Sequence, residues 1–168
     1  MKAALTSINP PHTNNIFNKI KGIEWRTKPM PTGKHYCYET KKHGGCGKVI
    51  GEFTVWRIKR YENISMISEC HIASGCVPIE FLEAYSKGKP LYAHFIISPK
   101  RYDKPRELSE FKRWCDGVSG NIGCRGCEYY YTESDESIGF YEECGCDNLR
   151  PIKRPPQSWC YVERLGED

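Results

Sequence analysis

The chain has 168 residues, 39% of them hydrophobic and 27% charged, with a net charge of +4. That length carries one domain, or one domain with an insert, around a proper core, and the composition is that of an ordinary soluble protein. No apolar run approaches a membrane span, and Met1-Lys2-Ala3-Ala4-Leu5 lacks the apolar core of a signal peptide, so cytoplasmic residence with no membrane partner is expected.

The first readable element runs from Ile16 to Arg26, a short amphipathic helix leading straight into a strand. Pro10 and Pro11 suit its first turn, Ile16, Phe17 and Ile20 form an apolar stripe, and Gly22 fits the position after the last turn. Ile23 and Trp25 then alternate with Glu24 and Arg26, which puts the two charged residues on one face of a strand. Lys34 to Lys41 alternates in the same way. His43-Gly44-Gly45-Cys46-Gly47 is a turn, because glycine supplies the positive φ that tight reversal needs. Lys48 to Tyr61, rich in Val, Ile, Phe and Trp, is a long strand that completes a hairpin. Pro78 to Tyr85 reads as a helix with proline at its first position and Gly88 just past its end. Leu91 to Ser98 is an apolar strand, Arg106 to Cys115 a helix with Leu108 and Phe111 at core spacing, and Ser158 to Leu165 a closing strand. Between them, Glu128 to Asp147 holds seven acidic residues and no basic one, and is expected to loop over solvent. Strands separated by short helices, with the last pairing back to the first, suit a small mixed β-barrel of the α+β class.

Charge is unevenly spread. Residues 1–60 hold twelve Lys/Arg against three Asp/Glu, a balance of +9, whereas residues 61–168 carry −5. A basic front half is what phosphate-backbone binding requires, although it is also compatible with any basic soluble half-domain. Within it, Lys21, Glu24 and Arg26 place a cation, an anion and a cation within six residues at the mouth of a sheet. Lys21 could act as a base or bind phosphate, Glu24 could orient it or accept from a base's exocyclic amine, and Arg26 could clamp a phosphate or stack on a base. The competing reading is a lysine at a helix C-terminus and a surface ion pair worth roughly 0–1 kcal/mol. Tyr36 and Tyr38 share a strand face and offer a stacking surface beside those cations, unless they are barrel core. Lys41 and Lys42, with Lys48, flank the glycine turn as phosphate contacts, though without Walker-type spacing. His94 lies on an apolar strand and reads as a satisfied core histidine.

Ten cysteines without an export signal argue against a disulfide framework. Cys124-Arg125-Gly126-Cys127 matches half of a zinc-ribbon site, and Cys144-Gly145-Cys146 offers two more thiolates at hairpin-like distance, with Cys115 as a substitute for one of the last pair. A structural zinc held by Cys124, Cys127, Cys144 and Cys146 would order an otherwise polar insert. The alternative is a set of free thiols.

The run Lys21, Glu24, Arg26 entering a strand after a short helix resembles the signature of the ASCH-domain family, relatives of the PUA-like RNA-binding barrels, with Lys19 where the family often has Gly. The likeness continues through Tyr36 to Thr40, Gly47 to Phe53, Tyr92 to Ile96, Tyr102 to Phe111 and Arg154 to Val162. It covers roughly residues 1–112 and 150–165, so that 1–168 reads as a single ASCH/PUA-like domain with 115–149 as a cysteine-rich acidic insert. The resemblance implies a PUA-like mixed barrel whose cleft, lined by Lys21, Glu24 and Arg26, receives RNA, a nucleotide or a modified base. It also implies an alternative, since some relatives look like amidohydrolases of acylated cytidine or like ribonucleases, with Lys21 as base and Glu24 beside it. The amidohydrolase branch carries a threonine nucleophile at the position of Glu24, which this sequence excludes. A protein-interaction module using the acidic insert is the third option.

Overall fold

The computed structural model describes residues 2–114 and 149–166. Among these residues, eight strands and three short α-helices follow one another as β1 (Lys2–Ile8), α1 (His12–Phe17), β2 (Ile23–Arg26), β3 (Gly33–Glu39), β4 (Val49–Tyr61), α2 (Glu69–Gly75), α3 (Ile79–Ser86), β5 (Leu91–Arg106), β6 (Lys112–Trp114), β7 (Leu149–Pro151) and β8 (Trp159–Glu163). They form one sheet in the order β2-β5-β4-β3-β1-β8-β6-β7, with β1 and β3 parallel and the remaining pairs antiparallel. The α+β class and the return of the last long strand to the first are as the sequence implies. The closed barrel is not: among the described residues, no backbone pairing joins β2 to the far end of the sheet. The sheet is nevertheless rolled. Three strands separate β2 from β1, yet the Arg26 guanidinium donates from Nη2 to the Ser7 carbonyl at 2.8 Å. A side chain does there what a ladder of backbone bonds does in a barrel.

Neither α2 nor β7 is anticipated from the sequence, and β1, the end of β5 and α1 differ from expectation in instructive ways. β1 reads as featureless because both its faces are buried, so that Leu5 and Thr6 are equally hidden and no alternation survives. β5 runs on to Arg106, where a single 3₁₀ turn, Leu108–Glu110, replaces the expected helix and leads into β6. The spacing that suggested a helix is genuine, since Leu108 and Phe111 do pack in one core cluster; three residues per turn align i and i+3 just as well. Glu107 and Glu110 form a reciprocal capping box around that turn. Finally, α1 stops at Phe17, because Lys19 adopts φ 60° and takes the left-handed position expected of Gly22. Ile20 therefore leaves the apolar stripe and is exposed.

The core falls into three clusters. One, around Leu5, Tyr36, Tyr38 and Phe111, lies between β1, β3 and the C-terminal strands. A second, around Ile16, Met30, Phe53 and Ile96, seats α1 on the sheet. The third, around Trp25, Tyr61, Leu82 and Leu91, holds α2 and α3 against β2. Full burial of Leu82 alone stabilises that docking by about 1.5–3 kcal/mol. No helix among the described residues is long and apolar enough to cross a membrane. The cysteines expected to hold zinc, Cys115, Cys124, Cys127, Cys144 and Cys146, lie outside the described residues, as does nearly all of the segment 115–149 expected to form an insert; Cys37, Cys46, Cys70 and Cys76 are free thiols.

Candidate ligand cleft

The turn after α1 is tied down from three sides. The amides of Ile20 and Lys21 both reach the Asn15 carbonyl, that of Gly22 reaches Ser74, and the Gly22 carbonyl accepts from Ile96. This knot turns Lys21 inward, against α2. Its ammonium donates to the carbonyl of Gly75, the last residue of α2, and lies 3.5 Å from Glu24 Oε2. The helix-end lysine is thus real but serves a different helix from the one the sequence suggests, and a cation at a helix C-terminus is favourably placed. Gly75 is needed at this contact, because a Cβ there would come within 2.1 Å of the Trp25 indole nitrogen.

Strand alternation then brings Glu24 and Arg26 to the same side. Glu24 Oε1 lies 3.0 Å from Arg26 Nη2, and the two side chains are only 9% and 13% exposed. Burial alone would raise the Glu24 pKa, but Arg26 and Lys21 outweigh it and hold the carboxyl below its ordinary value, so Glu24 is a carboxylate at neutral pH. The three groups carry an excess of one positive charge. Arg26 is further held by the Ser7 carbonyl and by Ser158 Oγ at 3.4 Å, while its buried Nε lacks a hydrogen-bond partner among the described residues. His94 fixes the strand from behind: Nδ1 donates to the Glu24 carbonyl at 3.1 Å and Nε2 accepts from the Met30 amide at 2.8 Å. It is fully satisfied and buried, as its strand pattern implies.

Lys21, Glu24 and Arg26 form the floor of an open cleft of about 1020 Å³. Exposed Lys41 and Lys42 of the β3–β4 connection, with Lys153 and Pro155 to Gln157, form its rim, and Phe81 and Tyr85 of α3 form a wall. His12, from the first turn of α1, also faces the cleft. Burial, followed by the nearby Lys21, lowers its pKa and keeps the imidazole neutral.

The overall arrangement has counterparts among solved structures. It is similar to the crystal structure of ASCH from Zymomonas mobilis, with 18% identity over 63% of this chain and 73% of that one and a TM-score of 0.55. A Ser-to-Ala variant of the same protein is 14% identical over 96% of this chain and 89% of that one, with a TM-score of 0.62. The chain has the ASCH-domain fold. No family model matches the sequence, and no curated protein matches it. At these identities the likeness is one of fold alone, and the chemistry of the cleft rests on its own residues.

Of the residues singled out from the sequence, Lys21, Glu24, Arg26, Tyr38, Lys41 and Lys42 line the cleft together. Tyr36 does not: it lies in the core against Phe111, 5.0 Å between ring centres, and its hydroxyl accepts from the Leu165 amide. Lys48 is drawn away into an ion pair with Glu107. The aromatic wall comes instead from Phe81 and Tyr85, which the sequence reading passed over. Their signal is present in α3, where Leu82 and Ser86 form the buried i,i+4 stripe and Phe81 and Tyr85 a second stripe turned outward, 68% and 48% exposed. His12 and Lys153 carried no such pattern and become cleft residues only through the tertiary fold.

Proposed function

We propose that the cleft binds a nucleotide, a modified base or single-stranded RNA. The observation that carries this is the cleft's composition: a buried cluster with surplus positive charge at the floor, between a lysine rim and an aromatic wall. A phosphate answers the surplus charge, and a planar base answers the rings of Phe81 and Tyr85. Glu24, ionised and acceptor-only, favours a base edge that presents an amino group. The test is thermal unfolding across ribonucleosides, ribonucleotides and short RNAs. A binder at a hundredfold excess over its Kd stabilises the fold by about 2.7 kcal/mol. No shift with any of them removes the reading.

A hydrolytic reading has one observation of its own. His12 supplies a neutral imidazole at the edge of the ion cluster, which could take a proton from water, whereas Lys21 is already engaged by Gly75 and Glu24. Turnover of N4-acetylcytidine or of RNA by the wild type, lost in both His12→Ala and Lys21→Ala, would convert the binding module into an enzyme.

A further inference from the structure

A second aromatic and basic surface lies outside the cleft. Between Val55 and Arg57 the β4–β5 register slips: Val55 pairs with Ile96 and Arg57 with Phe95, leaving Trp56 as the extra residue of a β-bulge. Bulges re-aim side chains, and this one leaves an indole 53% exposed, in edge contact with Phe95 at 6.0 Å. Its neighbours are cations. The Arg57 guanidinium lies over the Phe95 ring at 5.6 Å and Lys59 Nζ over Tyr61 at 4.7 Å, and neither has a carboxylate partner among the described residues. Trp56 belongs to none of the three core clusters and touches the third only through Phe95, so core packing accounts for little of the bulge.

The position matters as much as the composition. His71, in α2, packs on Phe95 at 5.2 Å, and Gly75, at the other end of the same helix, holds Lys21. Four residues of helix rise about 6 Å, so the bulge surface and the cleft floor flank a single turn of α2. We propose that Trp56, Arg57 and Lys59 form a second, sequence-tolerant contact for a single-stranded polynucleotide, one base stacking on the indole while phosphates meet the two cations. The proposal rests on the nucleic-acid reading of the cleft for the identity of the ligand, but its residues are separate.

The experiment compares a fluorescein-labelled oligouridylate 12-mer with the four ribonucleoside monophosphates on the full chain. Trp56→Ala is expected to weaken the 12-mer about tenfold and leave monophosphate binding unchanged, and Trp56→Phe to restore most of the loss. Arg57→Ala with Lys59→Ala should flatten the log–log salt dependence for the 12-mer by about 1.4, at roughly 0.7 per lost phosphate contact. If the wild type binds the 12-mer but no monophosphate, and Phe81→Ala leaves the 12-mer affinity unaltered, the cleft reading fails and the bulge contact survives. A wild type that does not bind the 12-mer, or a Trp56→Ala variant with unaltered affinity for it, overturns the proposal, and in the latter case the surface is left to a protein partner.

Discussion

Two carboxylates on strands of this sheet each meet a lysine, and they are used differently. Glu52, on β4, receives Lys34 Nζ at 3.0 Å on one oxygen and the Tyr102 hydroxyl at 2.8 Å on the other. One anion meets one cation and one neutral donor, each side chain is partly exposed, and the charge sums to zero. Glu24 meets two cations, is more deeply buried, and leaves a surplus charge and an unmatched Arg26 Nε beside a cleft. Both carboxyls are held below their ordinary pKa in spite of burial, by Tyr102 and Lys34 in one case and by Arg26 and Lys21 in the other. Ionisation therefore does not distinguish scaffold from site. Balance does: the Glu52 cluster satisfies its own charge, whereas the Glu24 cluster buries an excess that the proposed ligand would answer.

The sharpest way to break this contrast is to remove one cation from each cluster. Arg26→Met strands a buried carboxylate with a single partner and should cost about 3 kcal/mol or more in denaturant unfolding. Lys34→Met, at a partly exposed pair, should cost about 1 kcal/mol or less. Equal losses would mean that the two clusters are the same kind of object.

A pH titration of stability comes next in size. His35 is buried between Thr6 Oγ1 and the Pro31 carbonyl, 2.8 Å from each, and burial outweighs the Pro31 bond to bring its pKa down to about 4. A folded-state pKa below the unfolded one means that the unfolded chain binds more protons. The contribution is therefore complete above about pH 6.5 and is lost as the pH falls toward 4, by up to about 3 kcal/mol. Glu24 adds to the decline below its unfolded pKa. Burial lowers the pKa of His12 and His94 too, so His35→Gln should reduce the upper part of that slope and leave the lower.

Substitutions in the cleft wall and rim sharpen the comparison with smaller effects. Phe81→Ala and Tyr85→Ala should each weaken nucleotide binding about tenfold, from the loss of roughly 1–3 kcal/mol of stacking, with little change in melting temperature because both rings are largely exposed. Lys41→Ala should weaken binding across all sequences and flatten the salt slope by about 0.7. Glu24→Gln should instead change which base is preferred, since groups on the floor read base edges and rim lysines do not. A base preference that survives Glu24→Gln would assign the ion cluster to scaffolding.

The cleft was more legible in the sequence than the sheet around it. Lys21, Glu24 and Arg26 lie so close together that the helix-to-strand turn has to bring them near one another, and period-two alternation fixes the face of the last two. The β3–β4 hairpin and the return of β8 were readable for the same local reason. β1 was hidden because a strand covered on both faces has no period, and α2 because Glu69-Cys70-His71-Ile72 offers neither an apolar stripe nor a side-chain cap. Tyr36 and Lys48 were misplaced for a further reason. Strand phase told which residues share a face with Tyr38, but not that Phe111 and Glu107, far along the chain, would claim those two first.

The parallel pairing of β1 and β3 obliges the chain to cross over between Ile8 and Gly33, and α1, Lys21 and β2, the last at the far edge of the same sheet, all lie in that crossover. Their partners come from farther still: Lys21 waits for Gly75, 54 residues on, and Arg26 for Ser158, 132 residues on. Loop-closure entropy must be met before such contacts contribute, so the hairpins can form early while the cleft floor assembles among the last parts of the molecule. A ligand that recognises only the finished floor has nothing to hold in the transition state. It should slow unfolding in proportion to its affinity and leave the refolding rate where it was.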